Sequence, residues 1–398
     1  MKKKLFMLHL AIISILCLVG CNGFNNSKSA EDTSVMISME KGRGAAISHR
    51  EIATYVVDPM VRRGEELLEE MSLSEKISQM FFIHYTSESV ETLKEHQFGG
   101  VILFANFFKG KSKEQVISDV AAMQEVSELP MLVGVDEEGG TVVRVSSQAT
   151  LSDHKFQSPQ ALFKQGGMER IAQDAKEKSE LLKSLGINVN LAPVADVSES
   201  SGDYIYKRTF GKSADETAEY VATVVEQMDA CKMGNVLKHF PGYGNNKDTH
   251  KQFTYDKRPY SQFTEVDFIP FKRGIEAGAD SVLVSHNVVT CMDETLPASL
   301  SPKVHEILRN DMCFDGVVMT DDLAMDAIAD TNFGENPAVL SVLAGNDMII
   351  ATRYDSQMAA IKEAVEQGVM SEEQIDEAVL RILKWKMELG LIEIEGGQ

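Results

Sequence analysis

Cysteine is scarce and poorly spaced for metal work: five residues, at positions 17, 21, 231, 291 and 313, with no Cys-x-x-Cys pair among them. That pattern excludes zinc ribbons and disulfide-built scaffolds. Positive charge is also in short supply. Sixty acidic side chains face 39 basic ones, a net charge of −21, and nucleic acid is excluded as a partner because neutralising phosphates takes clustered Lys and Arg. Docking on anionic lipid by charge alone is excluded on the same ground. Beyond residue 60 there is no apolar run long enough to span a bilayer, no internal repeat and no low-complexity tract. Nor does a glycine-rich phosphate turn follow the first apolar strand, which counts against an open doubly wound sheet. What is present is an ordinary globular composition, 43% hydrophobic and 25% charged over 398 residues, enough to bury a sizeable core.

The first residues read as an address. Lys2, Lys3 and Lys4 precede a nearly unbroken apolar run from Leu5 to Val19. Its length falls short of the ~20 residues a spanning helix needs, so residues 1–20 are expected to be a secretory signal. Leu18-Val19-Gly20-Cys21 resembles the bacterial lipobox, which implies lipidation of Cys21 and attachment to the membrane through acyl chains. Residues 21–56, rich in Asn, Ser, Lys, Glu and Gly, are expected to form the lipidated cysteine and a flexible tether. The address implies an extracytoplasmic protein, lipid-anchored to the bacterial cell membrane.

From residue 57 onward short apolar runs alternate with helical patterns. The runs cover 79–85, 100–105, 131–136, 187–192, 235–240, 281–286, 316–321 and 347–352. Continuous apolar runs without strict alternation fit strands buried on both faces of a parallel sheet. Helical stretches lie between them, for instance at 112–127, 169–185 and 213–233, with the final helices in 371–391. Eight strand–helix repeats predict an α/β fold, a single (β/α)8 TIM-type barrel over residues 57–398.

Polar residues stand where the runs end. The third run closes on Asp136-Glu137-Glu138-Gly139-Gly140 and the fifth on Lys238-His239-Phe240-Pro241-Gly242. The sixth closes on Ser285-His286-Asn287, and the seventh on Asp321-Asp322. One charged residue at a strand end is ordinarily a cap, but four clusters at the C-terminal ends of different barrel strands define a catalytic rim. Asp321 sits there as nucleophile or electrostatic stabiliser, while Asp248 and His250, two apart in a loop of glycines and asparagines, suit a carboxylate holding an imidazole.

These motifs carry a resemblance. Lys238-His239-Phe240-Pro241-Gly242-Tyr243-Gly244 followed by Asp248-Thr249-His250 resembles the signature of family 3 glycoside hydrolases of the bacterial β-N-acetylglucosaminidase type. Asp136 to Arg144 resembles that family's D-x-E-G-G-x-V-x-R segment. Leu191-Ala192-Pro193-Val194-Ala195-Asp196, Arg208-Thr209-Phe210-Gly211 and Thr320-Asp321-Asp322-Leu323 with Met325 follow in the family's order. The chain departs from the pattern at Tyr243, where the family carries His, and in a loop one residue shorter before Asp248. The resemblance implies Asp321 as nucleophile and His250, oriented by Asp248, as general acid/base. It also implies Asp136, Arg144, Arg208, Lys238 and His239 as the residues that hold the terminal sugar. No metal and no organic cofactor is required. The implied activity is retaining exo-hydrolysis of terminal β-linked GlcNAc from cell-wall, peptidoglycan-type glycans, through a covalent glycosyl-Asp intermediate. Three alternatives stand beside it: a β-N-acetylglucosaminide phosphorylase, since a neutral histidine admits a phosphate nucleophile; a β-glucosidase of the same family, whose acid/base commonly comes from a second domain not expected here; and a non-catalytic sugar-binding lipoprotein.

Overall fold

The computed structural model describes residues 58–86, 89–246, 254–325, 328 and 334–394. The expected signal, Cys21 and the tether lie outside these residues, as do Asp248 and His250. The chain divides into a short unit, Met1–Arg62, of which residues 58–62 are described, and a large one, Arg63–Gln398.

The large unit is an α/β barrel of parallel strands. Its staves are β1 (Phe81–His84), β2 (Gly100–Ile102), β3 (Leu132–Val135), β4 (Val189–Asn190), β5 (Gly234–Phe240), β7 (Ser281–Val284), β9 (Val317–Thr320) and β10 (Ile349–Ala351). Two further short strands, β6 (Tyr255–Asp256) and β8 (Val288–Val289), pair outside the ring. The eight staves run in the order β10-β1-β2-β3-β4-β5-β7-β9, and a parallel bridge between Met319 and Met348 joins the two outer members. That seam is reinforced electrostatically. Asp347 accepts the Val318 N–H at 2.8 Å and meets the guanidinium groups of Arg309 and Arg381 at 2.5 and 3.0 Å.

The strands form where the apolar runs predict because the middle of each run is buried. β2, β3, β5, β7, β9 and β10 have every residue buried, as two-sided burial between barrel interior and helix ring demands. Inside, Phe82 fills the space that a side chain at position 134 would need: a Cβ there would come 2.4 Å from the Phe82 ring, so β3 carries Gly134. The helices hold to the predicted stretches, with one correction. The predicted helix at 169–185 begins earlier, at Pro159 behind an N-cap from Ser158, and runs to Ser184 with a break at Gly166–Gly167. The two-residue strands β6 and β8 were not expected; they are too short to leave a periodic signal.

Below the first strand, the helix Glu372–Glu388 drives Lys386 into the interior, where its ammonium donates to Gln79 Oε1 at 2.8 Å. Burial with so little compensation lowers its pKa to about 7. Between that value and the ordinary 10.5, the unfolded chain holds a proton that the folded chain has shed, so raising the pH favours folding. Thermal denaturation across pH 7.5–9.5 should therefore show the wild-type melting temperature climbing relative to that of Lys386→Met. Parallel profiles for the two proteins would contradict this.

Candidate active site

The strand ends converge. A cleft of about 500 Å³ opens at the C-terminal rim, lined by His84 at the end of β1, Phe104 after β2, Asp136 after β3, Lys238 and His239 on β5, and Asp321 and Asp322 after β9. Arg144 and Arg208 reach it from loops. Of the residues singled out from sequence, Asp136, Arg144, Arg208, Lys238, His239 and Asp321 thus face one space, while Asp248 and His250 are outside the described residues.

Consecutive residues of a regular strand point to opposite faces, yet Lys238 and His239 both line the cleft. The register explains it. Lys238 pairs with Leu283 and Phe240 with Val284, so His239 is an extra residue, a bulge that turns its ring to the same side as the Lys238 ammonium.

The acidic triplet after β3 obeys alternation. Asp136 and Glu138 turn toward the basic side chains, whereas Glu137 turns away and accepts the backbone N–H groups of Arg144, Val145 and Ser146, together with the Ser146 hydroxyl. Glu137 thereby folds the loop that carries Arg144 back toward the cleft, where Arg144 approaches Asp136 at 3.6 Å. Glu138 lies beneath the cleft floor as a charge hub. It takes a two-point fork from Arg208, at 3.0 and 2.7 Å, and the Lys238 ammonium at 2.7 Å. Lys238 bridges onward to Asp136 Oδ1 at 2.7 Å. Burial pushes the Glu138 carboxyl up, but the charges of Arg208 and Lys238 overcome it and hold the group well below the ordinary carboxylate range. Arg208, despite burial, is held firmly charged by Glu138.

A second chain of contacts fixes His239. Asp196 accepts the His239 backbone N–H at 3.1 Å and lies 2.7 Å from ring Nδ1, while its other oxygen accepts the Tyr243 N–H at 2.6 Å. The opposite ring nitrogen, Nε2, lies 3.2 Å from the Arg208 guanidinium. Because that guanidinium can only donate, Nε2 accepts and the proton sits on Nδ1, toward Asp196.

Asp321 is half-buried at the end of β9. Its N–H donates to Val284 O, and its Oδ1 accepts the Asp322 N–H at 2.8 Å. Asp322 turns its carboxylate aside: Oδ1 accepts the Ala324 N–H, and Oδ2 lies 3.1 Å from His84 Nε2. His286, prominent in the sequence, is fully buried and contacts the Asp322 carbonyl and the Ser299 hydroxyl, so it props the strand end from behind.

The loop that leaves β5 has a charged stem. Arg258 grips both oxygens of Asp256, both oxygens of Asp267 and the Gly242 carbonyl, and it stacks on Phe263. Asn246, the last described residue before the loop, donates to Asp256 at 2.7 Å. Gly242, at φ +125°, packs so close to Asp267 that a Cβ would sit 2.4 Å from its carboxylate. Burial pushes Asp267 up to about 7 against the pull of Arg258.

Sequence reasoning gave His84 no part in the site, and gave Glu138, Asp196 and Asp322 no individual role beyond their place in the motifs. The signal for Glu138 was available, since positions 136 and 138 share a face of an extended chain.

Residues 72–385 match the sequence profile of the Glycosyl hydrolase family 3 N terminal domain. The chain belongs to glycoside hydrolase family 3. It is 28% identical to "Beta-hexosaminidase A" of Pseudoalteromonas piscicida over 333 residues, 76% of this chain and 55% of that one. Identity to the "Beta-hexosaminidase" of Xanthomonas campestris pv. campestris (strain B100) is 31% over 245 residues, 61% of this chain and 73% of the relative. Among solved structures, a family 3 β-N-acetylglucosaminidase from Paenibacillus sp. str. FPU-7 superposes with a TM-score of 0.75 at 28% identity, covering 82% of this chain and 65% of that one. The family 3 barrel thus spans little more than half of the first relative and under two thirds of the Paenibacillus chain.

Glu138 gives a direct test. Glu138→Gln strands two buried cations, and breaking a buried pair in this way costs about 3–5 kcal/mol, so denaturant unfolding at pH 7 should show a large loss of stability. Because the folded-state pKa is depressed, the wild-type advantage is present above the ordinary value of 4.5 and fades as pH falls through the depressed value. The gap between variant and wild type should narrow below about pH 4.5; a gap independent of pH would refute the hub.

Proposed function

We propose that this family 3 protein is a retaining exo-β-N-acetylglucosaminidase that removes terminal β-linked GlcNAc from cell-wall, peptidoglycan-type glycans. The observation that carries the reading is the cleft at the barrel rim, where Asp321 shares one space with an array of charged and polar groups, Asp136, Arg144, Arg208, Lys238 and His239, suited to holding a sugar's hydroxyls. The names of the relatives point the same way.

In this mechanism the ion network holds the hydroxyls of the terminal sugar, and Asp321 attacks the anomeric carbon. The Asp322 N–H donates to Asp321 Oδ1 and so helps to orient the carboxylate for attack. His250, oriented by Asp248, donates a proton to the departing glycosidic oxygen. The same histidine then takes a proton from the water that releases the sugar and restores the Asp321 carboxylate. A neutral imidazole beside the leaving group tolerates an acidic substituent there better than a second carboxylate would.

Hydrolysis of p-nitrophenyl β-GlcNAc and β-glucoside, with and without phosphate, tests the activity. GlcNAc should be strongly preferred and phosphate should have no effect. Asp321→Ala should lose several orders of magnitude in kcat, and a fluorinated GlcNAc donor should label Asp321 in peptide mapping. Comparable rates on the two sugars, or label on another residue, would refute the reading.

The reading includes location. We propose that residues 1–20 are removed, that Cys21 carries the lipid anchor, and that residues 21–56 hold the barrel clear of the membrane on the extracytoplasmic side. Cys21→Ala should move activity from the membrane fraction to soluble or unprocessed forms. Normal processing with full membrane retention would rule the anchor out.

A further inference from the structure

The cleft is graded from floor to rim. Glu138 is buried beneath it, Lys238 on its floor is almost wholly covered, Asp136 and Arg208 are mostly covered, and Tyr204 on the rim is 46% exposed. A sugar whose hydroxyls meet the buried ions occupies the deep end, so the group it is cut from must lie toward the rim. The large apolar side chains most exposed among the described residues are Ile117, Tyr204, Tyr255, Tyr260 and Val369, and of these Tyr204 lines the cleft.

Tyr204 is held in place. Asp203 is tied to the Ser198 hydroxyl at 2.7 Å, and Ile205 on the other side is fully buried. The Tyr204 ring leans on Tyr243, with centroids 5.9 Å apart, and Tyr243 in turn meets the His239 ring at 5.7 Å. A row of rings thus leads from the deep end to the rim, and its middle member is the residue at which the family signature departs from His. Lys207, exposed on the same segment, also lines the cleft.

We propose that Tyr204 is the platform of a leaving-side subsite: its exposed ring stacks on the pyranose to which the terminal sugar is linked, with Lys207 donating to that pyranose's exocyclic oxygens. An aromatic face offers a saturated ring broad apolar contact at low entropic cost, because few side-chain torsions must be fixed. The subsite rests on the glycosidase reading above and adds the requirement that the leaving group be a ring.

Two GlcNAc donors separate the claims: the β-1,4-linked disaccharide of GlcNAc, which leaves a pyranose, and GlcNAc β-azide, whose leaving group has no ring. Tyr204→Ala should lower kcat/KM on the disaccharide by about tenfold, while the azide changes less than about twofold. Tyr204→Phe should restore the disaccharide rate, since the ring and not the hydroxyl does the stacking. Lys207→Met should show a smaller loss, again confined to the disaccharide. Equal losses on both donors for Tyr204→Ala, or no loss on either, would overturn the subsite and leave the glycosidase reading intact. A wild-type enzyme that cleaves neither donor would overturn both.

Discussion

Glu138 is the point on which the site hangs. Two cations from separate segments, Arg208 and Lys238, converge on one buried carboxylate, and neither could be held at the cleft floor without it. A buried ion pair is a poor source of net stability but a strict source of geometry, because any arrangement that leaves one charge unmatched is expelled. Lys238 ties β5 to Asp136 after β3, Arg208 ties the loop after β4 to both, and Arg208 also reaches the His239 ring. Three consecutive sectors of the barrel rim are thereby set relative to one another through charge, with the apolar staves supplying the platform.

Local geometry does the rest. Strand alternation sends Asp136 and Glu138 to one side and Glu137 to the other, so three adjacent acids take three distinct tasks: facing the cleft, bracing the floor and folding a loop. The bulge at His239 breaks alternation where two neighbouring side chains are needed on the same side. Asp321 and Asp322 are separated by a different device. The N–H of the second bonds the carboxylate of the first, while the second carboxylate turns toward Ala324 and His84.

The barrel was legible in the sequence because two-sided burial writes itself as continuous apolar runs, and the polar clusters were legible because they stop those runs abruptly. What was not legible is non-local. Arg208 and Glu138 are 70 positions apart and Lys238 and Asp136 are 102 apart, so no window of the chain announces that they meet. The bulge leaves no mark on composition either; it exists only in the register between β5 and β7. Tyr204 sits in a polar loop without periodicity, and only its place on the cleft wall gives it meaning. The helical segment ahead of Gly166–Gly167 lay outside the predicted stretch because two adjacent glycines interrupt the helical pattern, whereas Ser158 caps a helix that starts before them.

The stem closed by Arg258 separates two kinds of change. With its guanidinium engaged by two carboxylates and a carbonyl, and Asn246 fastened to Asp256, the chain's departure point from β5 and its return point are fixed by contacts that involve none of the residues between them. The entropy of closing a loop varies only slowly with its length, so a residue gained or lost between 246 and 254 is absorbed in the segment itself and does not propagate into the staves. Such a joint makes the segment a replaceable part: the barrel and the ion network at its rim can stay constant while the span between 246 and 254 is shortened, lengthened or rewritten.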